Sequence, residues 1–368
     1  MKIICSKEEL AKAVGIVSKS VPAKTNMPIL ECILLEASGG AIRLTANDME
    51  LGIETKAEGK VVEEGSVALN AKTFSEIVRK LPDGEVSIKA DSEAEVSIIC
   101  EKAKFNLAAQ SGKEFPKIPE VEKEEYFTIT EFDLKEAVRQ TIFSTAAGGD
   151  KKMAAELFEV SEDALKVVAL DGHRISIRNL GLKDVYISKR VIVPSRTLLE
   201  LCKIIGGSTK ESVDITFTEN HIMFEFGQSI VVSRLIDGEY FRIDQMLSMD
   251  YKTKAKIHRK DFLECIDRAS LLVKENDKKP IIMDIKEGTV KFKAKSKRGS
   301  WDEDMKIKKE GKDLLIGFNP RFLMEALRAI DDDEVELYFM NAKSPCIIKN
   351  EGKEYIYLIL PVNITAAA

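Results

Sequence analysis

The chain has 368 residues, 44% of them hydrophobic and 32% charged, with a formal net charge of −5. That length exceeds one ordinary domain and suits two or three separate cores, and no apolar run approaches the roughly 20 residues that span a bilayer. The acidic balance argues against a surface that coats nucleic acid everywhere, while leaving room for one basic face.

Taken in chain order, MKIICSKEEL carries acids by position 8 and no extended apolar stretch, unlike a secretory leader. SKEELAKAVGIV (6–17) predicts an amphipathic helix, and ILLEASGGAIRLTAND (33–48) predicts a hairpin. LNAKTFSEIVRKL (69–81) is a strand end, a short polar step, a basic residue and a second amphipathic helix. The pattern then recurs. EFDLKEAVRQTI (131–142) and HRKDFLECIDRA (258–269) match the first helix: Leu10, Leu134 and Phe262 align, each following an acidic residue that suits a helix N-terminus. ELFEVSEDALKVVALD (156–171) and IIMDIKEGTVKFKAKS (281–296) match the hairpin. VPSRTLLELCKII (193–205) and FNPRFLMEALRAI (318–330) match the second helix and place Lys72, Arg196 and Arg321 at spacings of 124 and 125. EFPKIPEVEKEEYF (114–127) and MLSMDYKTKAKI (246–257) have the proline and charge density of linkers. The fold expected is α+β: three similar domains, near 1–124, 125–252 and 253–368, each of antiparallel β-sheets covered by two amphipathic helices. Three such domains suggest an arc, and two arcs could close a ring.

The second helix of each repeat is basic although the chain is acidic: Lys72, Arg79, Lys80, Arg196, Lys203, Arg321 and Arg328 stand against Glu76, Glu200 and Glu325. One such helix is ordinary solvated surface. Recurrence at one position in three repeats points instead to a surface that meets phosphate without reading bases.

The six cysteines are scattered without a Cys-x-x-Cys pair, as reduced core residues would be; no zinc site and no cofactor are expected. VVALDGHRISI (167–177) sets Asp171, Gly172, His173 and Arg174 between two strand-like runs. Catalysis there would need a partner nucleophile or a metal set, and neither pattern occurs. Asp-Gly between strands reads first as a hairpin turn, with glycine taking the positive φ. A hydrolase using Asp171 and His173 and a scaffold that never meets DNA are the competing readings.

Threefold repetition, ALDGHRISI, LIDGEYF, IGFNPRFL and the C-terminal YLILPVNI together resemble the bacterial sliding clamp family, the beta subunit of DNA polymerase III, over essentially the whole chain. The resemblance implies a half-ring of three domains that pairs head to tail into a homodimer around double-stranded DNA. It implies a non-catalytic processivity factor working in the cytoplasm on the nucleoid. A trimeric clamp with two repeats per chain fits less well, because three repeats per chain reach six domains from two chains. Carried over by position, DNA contacts fall at Lys24, Lys72, Lys151, Lys152, Arg196, Lys203 and Arg321. The turn becomes one wall of a pocket for partner peptides, with Asp171 holding it and Gly172, His173, Arg174 and Ile175 facing the ligand. Met153, Leu170, Phe241, Met246, Asn319, Phe322, Pro345, Ile359, Leu360, Pro361, Val362 and Asn363 complete that pocket. The implied partners are the replicative polymerase, the clamp loader and repair proteins, each offering a Gln-Leu-x-Leu-Phe-like segment. For the dimer interface, the resemblance offers Lys102, Lys104, Phe105 and Leu107 against Leu271, Leu272, Asp302, Glu303 and Asp304. Phe241 stands where the family commonly has proline, and Asn363 where it commonly has arginine. Thr365–Ala368 run past the family's usual end.

Overall fold

The computed structural model describes residues 1–92, 95–123, 126–247, 250–273, 280–352 and 354–364. Thr365–Ala368, and residues 124–125 and 248–249 of the two linkers, lie outside the described residues.

Among the described residues seven α-helices occur: α1 (Lys7–Val17), α2 (Ala71–Lys80), α3 (Glu131–Thr141), α4 (Ser195–Ile204), the one-turn α5 (Asp244–Leu247), α6 (Arg259–Ser270) and α7 (Pro320–Ala329). The six long ones fall within two residues of the predicted segments. Side-chain caps set several starts: Ser6 Oγ accepts from Glu9 N–H, Asn70 Oδ1 from Thr73 N–H at 3.1 Å, and Asn319 Oδ1 from Arg321 N–H at 3.0 Å. Their apolar stripes go inward, Phe74 and Val78 on α2 and Leu323 and Leu327 on α7, and this leaves Lys72 and Arg321 exposed.

By compactness the chain forms two units, Met1–Leu134 with Arg196–Leu235, and Lys135–Ser195 with Ile236–Ala368. This grouping differs from the three predicted segments because sheet hydrogen bonds run across the predicted boundaries. In the first unit, strand Leu51–Ala57 pairs antiparallel with Ser229–Arg234, Ile53 opposite Val231, inside a nine-stranded sheet. In the second, Arg174–Pro194 pairs with Tyr355–Ile359, Arg174 opposite Ile359, inside a seven-stranded sheet. A five-stranded and a four-stranded sheet complete the set. Leu10, Val17, Ile33, Leu44, Ile53 and Phe74 make the first unit's core. The second unit has one core around Phe262, Phe292, Phe318, Leu323 and Tyr357 and another around Leu157, Val168, Ile177 and Tyr240. No described helix is long and apolar enough to cross a membrane.

All three predicted strand-turn-strand segments reverse direction. Cys32–Ser38 and Ala41–Asn47 turn at Gly39 and Gly40, with φ of 56° and 75°, as a two-residue type I′ loop requires. Ile281–Lys286 and Thr289–Ser296 form another. The middle one lies within the extended run Ala155–Leu170, which doubles back between Val160 and Ala164: Tyr240 Oη reaches the Ala155 carbonyl at 3.3 Å and the Val168 carbonyl at 3.4 Å, and Lys166 Nζ meets Glu159 at 3.3 Å. Ser-Glu-Asp-Ala contains no turn glycine, and Glu162, at φ 51°, takes the left-handed conformation at the reversal. The six cysteines form no disulfide, and five are buried.

On the first arm of that hairpin Glu156 is fully buried. Thr141 Oγ1 donates to its Oε1 at 2.9 Å, while Oε2 has no partner among the described residues. Burial raises its pKa well above the ordinary carboxyl value of 4.5, and the Thr141 bond counteracts only part of this. The folded chain therefore holds a proton that the unfolded chain has released, and stability falls as pH rises from about 4.5 towards the native pKa. Glu156→Gln should remove that fall and raise stability near pH 8 by roughly 1–2 kcal/mol. Thermal unfolding of both proteins across the range checks this, and an identical pH dependence would refute it.

Candidate functional site

The Asp171–Arg174 turn is built by its own side chains. Asp171 Oδ1 accepts the His173 N–H at 3.0 Å and Oδ2 accepts Arg174 Nε at 2.9 Å. Gly172, at φ 84°, occupies the left-handed region that a side chain would strain. Arg174 is 3% exposed. Its guanidinium also bonds Glu325 and the Phe143 carbonyl and lies 4.3 Å from the ring centroid of Phe322. Burial opposes its charge, but Tyr357, Glu325 and Asp171 outweigh burial and hold its pKa above the usual guanidinium value.

His173, exposed, stacks its ring on Phe322 with centroids 6.2 Å apart, and its carbonyl accepts the Leu360 N–H at 2.9 Å. The turn is thus seated on α7 and on the segment that follows strand Tyr355–Ile359. Between them opens a cleft of about 860 Å³, lined by His173, Asn319, Phe322, Leu360, Pro361 and Val362 among the predicted residues. Val362 N–H reaches the Gly317 carbonyl at 2.8 Å and fixes the cleft's far edge. Ser270, Val273, Arg321, Met324, Glu325 and Arg328 also line it, and none of these was expected there. Met324, Glu325 and Arg328 follow Arg321 at the helical spacing of three, four and seven, so a helical wheel of α7 anchored on Arg321 could have grouped them on one face.

The remaining predicted pocket residues are placed differently. Leu170 and Ile175 are buried, and Met153 and Phe241 partly buried, in the core around Tyr240, where the Tyr240 and Phe241 rings meet edge-on at 5.5 Å. Met246 is 50% exposed on α5, Pro345 is half-buried just before strand Cys346–Lys349, and Asn363 is exposed. Two expectations need correction. Arg174 and Ile175 do not face outward but brace the turn from behind. Ile359, wholly buried, belongs to the Phe318–Tyr357 core and supports the cleft floor without lining it.

The basic residues fall into distinct settings. Lys24 and Arg196 line one concavity of the first unit with Asp48, and Arg196 is ion-paired to Asp48. Lys72 and Lys151 are exposed on α2 and in the 151–154 turn. Lys203 pairs with Glu200 at 2.8 Å and Arg321 with Glu325 at 2.9 Å. Lys152 departs from the expectation of a free loop lysine: it is half-buried, with Nζ donating to the Glu239 carbonyl at 2.9 Å.

Strand Ala103–Ala108 is an edge of the five-stranded sheet, with Lys104 and Phe105 exposed on it, Lys102 exposed just before it and Leu107 half-buried. Leu271, 75% exposed, and half-buried Leu272 follow α6. Strand Gly299–Lys306 is an edge of the four-stranded sheet. There Asp302 is held by Lys291 at 2.7 Å and Glu303 by Arg268 at 2.9 Å, with Asp304 exposed beside them. The Lys291 bond lowers the Asp302 pKa, so that carboxyl stays charged at neutral pH.

Three family models match the chain in succession: the DNA polymerase III beta subunit N-terminal domain over residues 1–119, its central domain over 128–241 and its C-terminal domain over 244–363. The chain belongs to this family. It is 31% identical over 356 residues to the beta sliding clamp of Staphylococcus aureus strain Mu50, covering 94% of each chain, and 32% identical to that of Staphylococcus epidermidis strain RP62A. Among solved structures it resembles the DNA polymerase sliding clamp of Bacillus subtilis, with a TM-score of 0.95, 30% identity and 99% of each chain covered. A DNA polymerase III beta subunit homologue from Eubacterium rectale ATCC 33656 gives a TM-score of 0.97 at 57% identity, over 99% of this chain and 100% of that one. The fold is the three-domain sliding clamp fold, and the family's role is that of a processivity factor for DNA polymerase.

Because Arg174 is the buried counter-charge of two carboxylates, Arg174→Ala should cost about 3 kcal/mol of folding stability. Urea unfolding measures this, and a cost below about 1 kcal/mol would show that the network is dispensable.

Proposed function

We propose that two copies of the chain close head to tail into a ring around duplex DNA and tether DNA polymerase and other partners through the His173–Phe322–Leu360 cleft. Each chain supplies domains near 1–124, 125–252 and 253–368, and the ring works in the cytoplasm on the nucleoid without catalysing a reaction. The observation that carries the reading is the cleft itself. Apolar Phe322, Met324, Leu360, Pro361 and Val362 suit the Leu and Phe side chains of a Gln-Leu-x-Leu-Phe segment, and His173 and Asn319 offer polar partners at its edge. The clamp loader and repair proteins bearing such segments would compete for the same place. Met153, Leu170, Ile175 and Phe241 form the neighbouring apolar ground on the other side of the turn.

In this reading Lys24, Lys72, Lys151, Lys152, Arg196, Lys203 and Arg321 meet phosphates. Six of their side chains keep an exposed charge that no base edge would need, which suits sliding without a preferred register. The edge strands Ala103–Ala108 and Gly299–Lys306 suit strand-to-strand addition between copies. Phe105 and Leu271 supply apolar contact, and Lys102 and Lys104 lie opposite the Asp302–Asp304 acids.

Phe322→Ala with Leu360→Ala should weaken binding of a labelled Gln-Leu-Ser-Leu-Phe peptide by about 30-fold, the effect of losing two central apolar anchors. Fluorescence anisotropy reads this, and undiminished binding would move the peptide site elsewhere. Replacing Lys72, Arg196 and Arg321 together by glutamine should weaken association with duplex DNA and flatten the log–log salt slope by about 0.9 for each phosphate no longer neutralised. An unchanged slope would remove those helices from the DNA surface.

A further inference from the structure

Glu325 stands where the cleft and the recurrent basic position meet. Its Oε1 accepts Arg321 Nε at 2.9 Å, and its Oε2 is bonded by the buried Arg174. Arg174 in turn grips Asp171 at 2.9 Å, and the same Asp171 carboxylate holds the His173 N–H. A continuous charged chain therefore runs from the half-exposed guanidinium of Arg321 to the turn that walls the cleft. The corresponding acid of α4 is wired otherwise: Glu200 bonds Lys203, and Arg196 turns to Asp48.

We infer that Glu325 is a shared acceptor through which a polyanion bound at Arg321 tightens the Asp171–Arg174 turn and raises the cleft's affinity for its peptide. A phosphate offers the Arg321 guanidinium a bidentate partner in place of Glu325. Once Arg321 turns away, the Glu325 carboxylate is no longer divided between two cations and acts on Arg174 alone. That attraction is felt in a buried setting, where charges interact more strongly than at the surface. Arg174 is thereby held more firmly against Phe322 and Asp171, and His173 is fixed in place before a peptide arrives. Less ordering is then left to occur on binding, so the peptide binds more tightly. Linkage requires the reciprocal effect: bound peptide raises affinity for the polyanion by the same factor.

This inference rests on the proposed cleft and the proposed DNA contact of Arg321. The test titrates a labelled Gln-Leu-Ser-Leu-Phe peptide into the full chain and into Arg321→Gln, each with and without a saturating short duplex. The wild type should bind the peptide about five-fold more tightly when duplex is present, at the lower end of ordinary coupling. Arg321→Gln, a surface change that leaves the core intact, should show the tighter affinity without duplex and gain nothing from adding it. Glu325→Gln should likewise abolish the gain, although it also loosens the turn, so the Arg321 variant decides. A wild type that binds both ligands with independent affinities, or an Arg321→Gln that still responds to duplex, overturns the coupling and leaves the cleft standing. A folded wild type that binds no peptide overturns the cleft assignment and the coupling with it.

Discussion

The ladder between Arg174–Arg178 and Tyr355–Ile359 is the constraint on which the cleft depends. Strand pairing fixes Arg174 opposite Ile359, so the residues just beyond, His173 and Leu360, must emerge side by side, and their backbone bond at 2.9 Å extends the ladder by one step. A slip of one residue would exchange the inward and outward faces of the strand. Arg174 would then be carried away from Glu325 and Phe322, leaving two carboxylates without their cation. The buried ion pairs and the ladder specify the same register by different physics.

The helices were legible because helix formation is local. Caps, apolar spacing and a repeat of about 125 residues all point to the same segments, and the structure places the ends within two residues. The Gly39–Gly40 hairpin was legible for the same reason, as its turn chemistry is written in adjacent residues. The Ala155–Leu170 hairpin was legible only through the repeat, because its own Ser-Glu-Asp-Ala turn carries no glycine and hid the reversal. Burial of Arg174 and Ile359 was also hidden. Whether a strand residue faces a core or a groove depends on a partner strand nearly two hundred positions away, and periodicity within one segment carries no information about it.

Charge follows a similar division. The basic excess on the second helices was visible in composition, but the partners of those cations were not. Arg196 takes Asp48 from a distant loop, whereas Lys203 and Arg321 take acids one turn along their own helices. The more exposed Lys203–Glu200 and Arg321–Glu325 pairs are of a kind that contributes little to stability and exchanges partners readily. Such cations remain basic toward a polyanion, yet in its absence Arg196, Lys203 and Arg321 are each balanced by a neighbouring acid.

Five of the six cysteines are shut into the sheets and helices, and burial, with nearby acids adding to it, pushes the Cys5 and Cys265 thiols up to about 12. Only the thiolate attacks disulfides and peroxides, so at neutral pH these two side chains present almost none of the reactive form. Oxidants therefore have little to act on at Cys5 and Cys265 while the chain stays folded. Damage there would follow unfolding instead of preceding it, and a shift to oxidising conditions would leave the folded chain's chemistry at those positions unchanged.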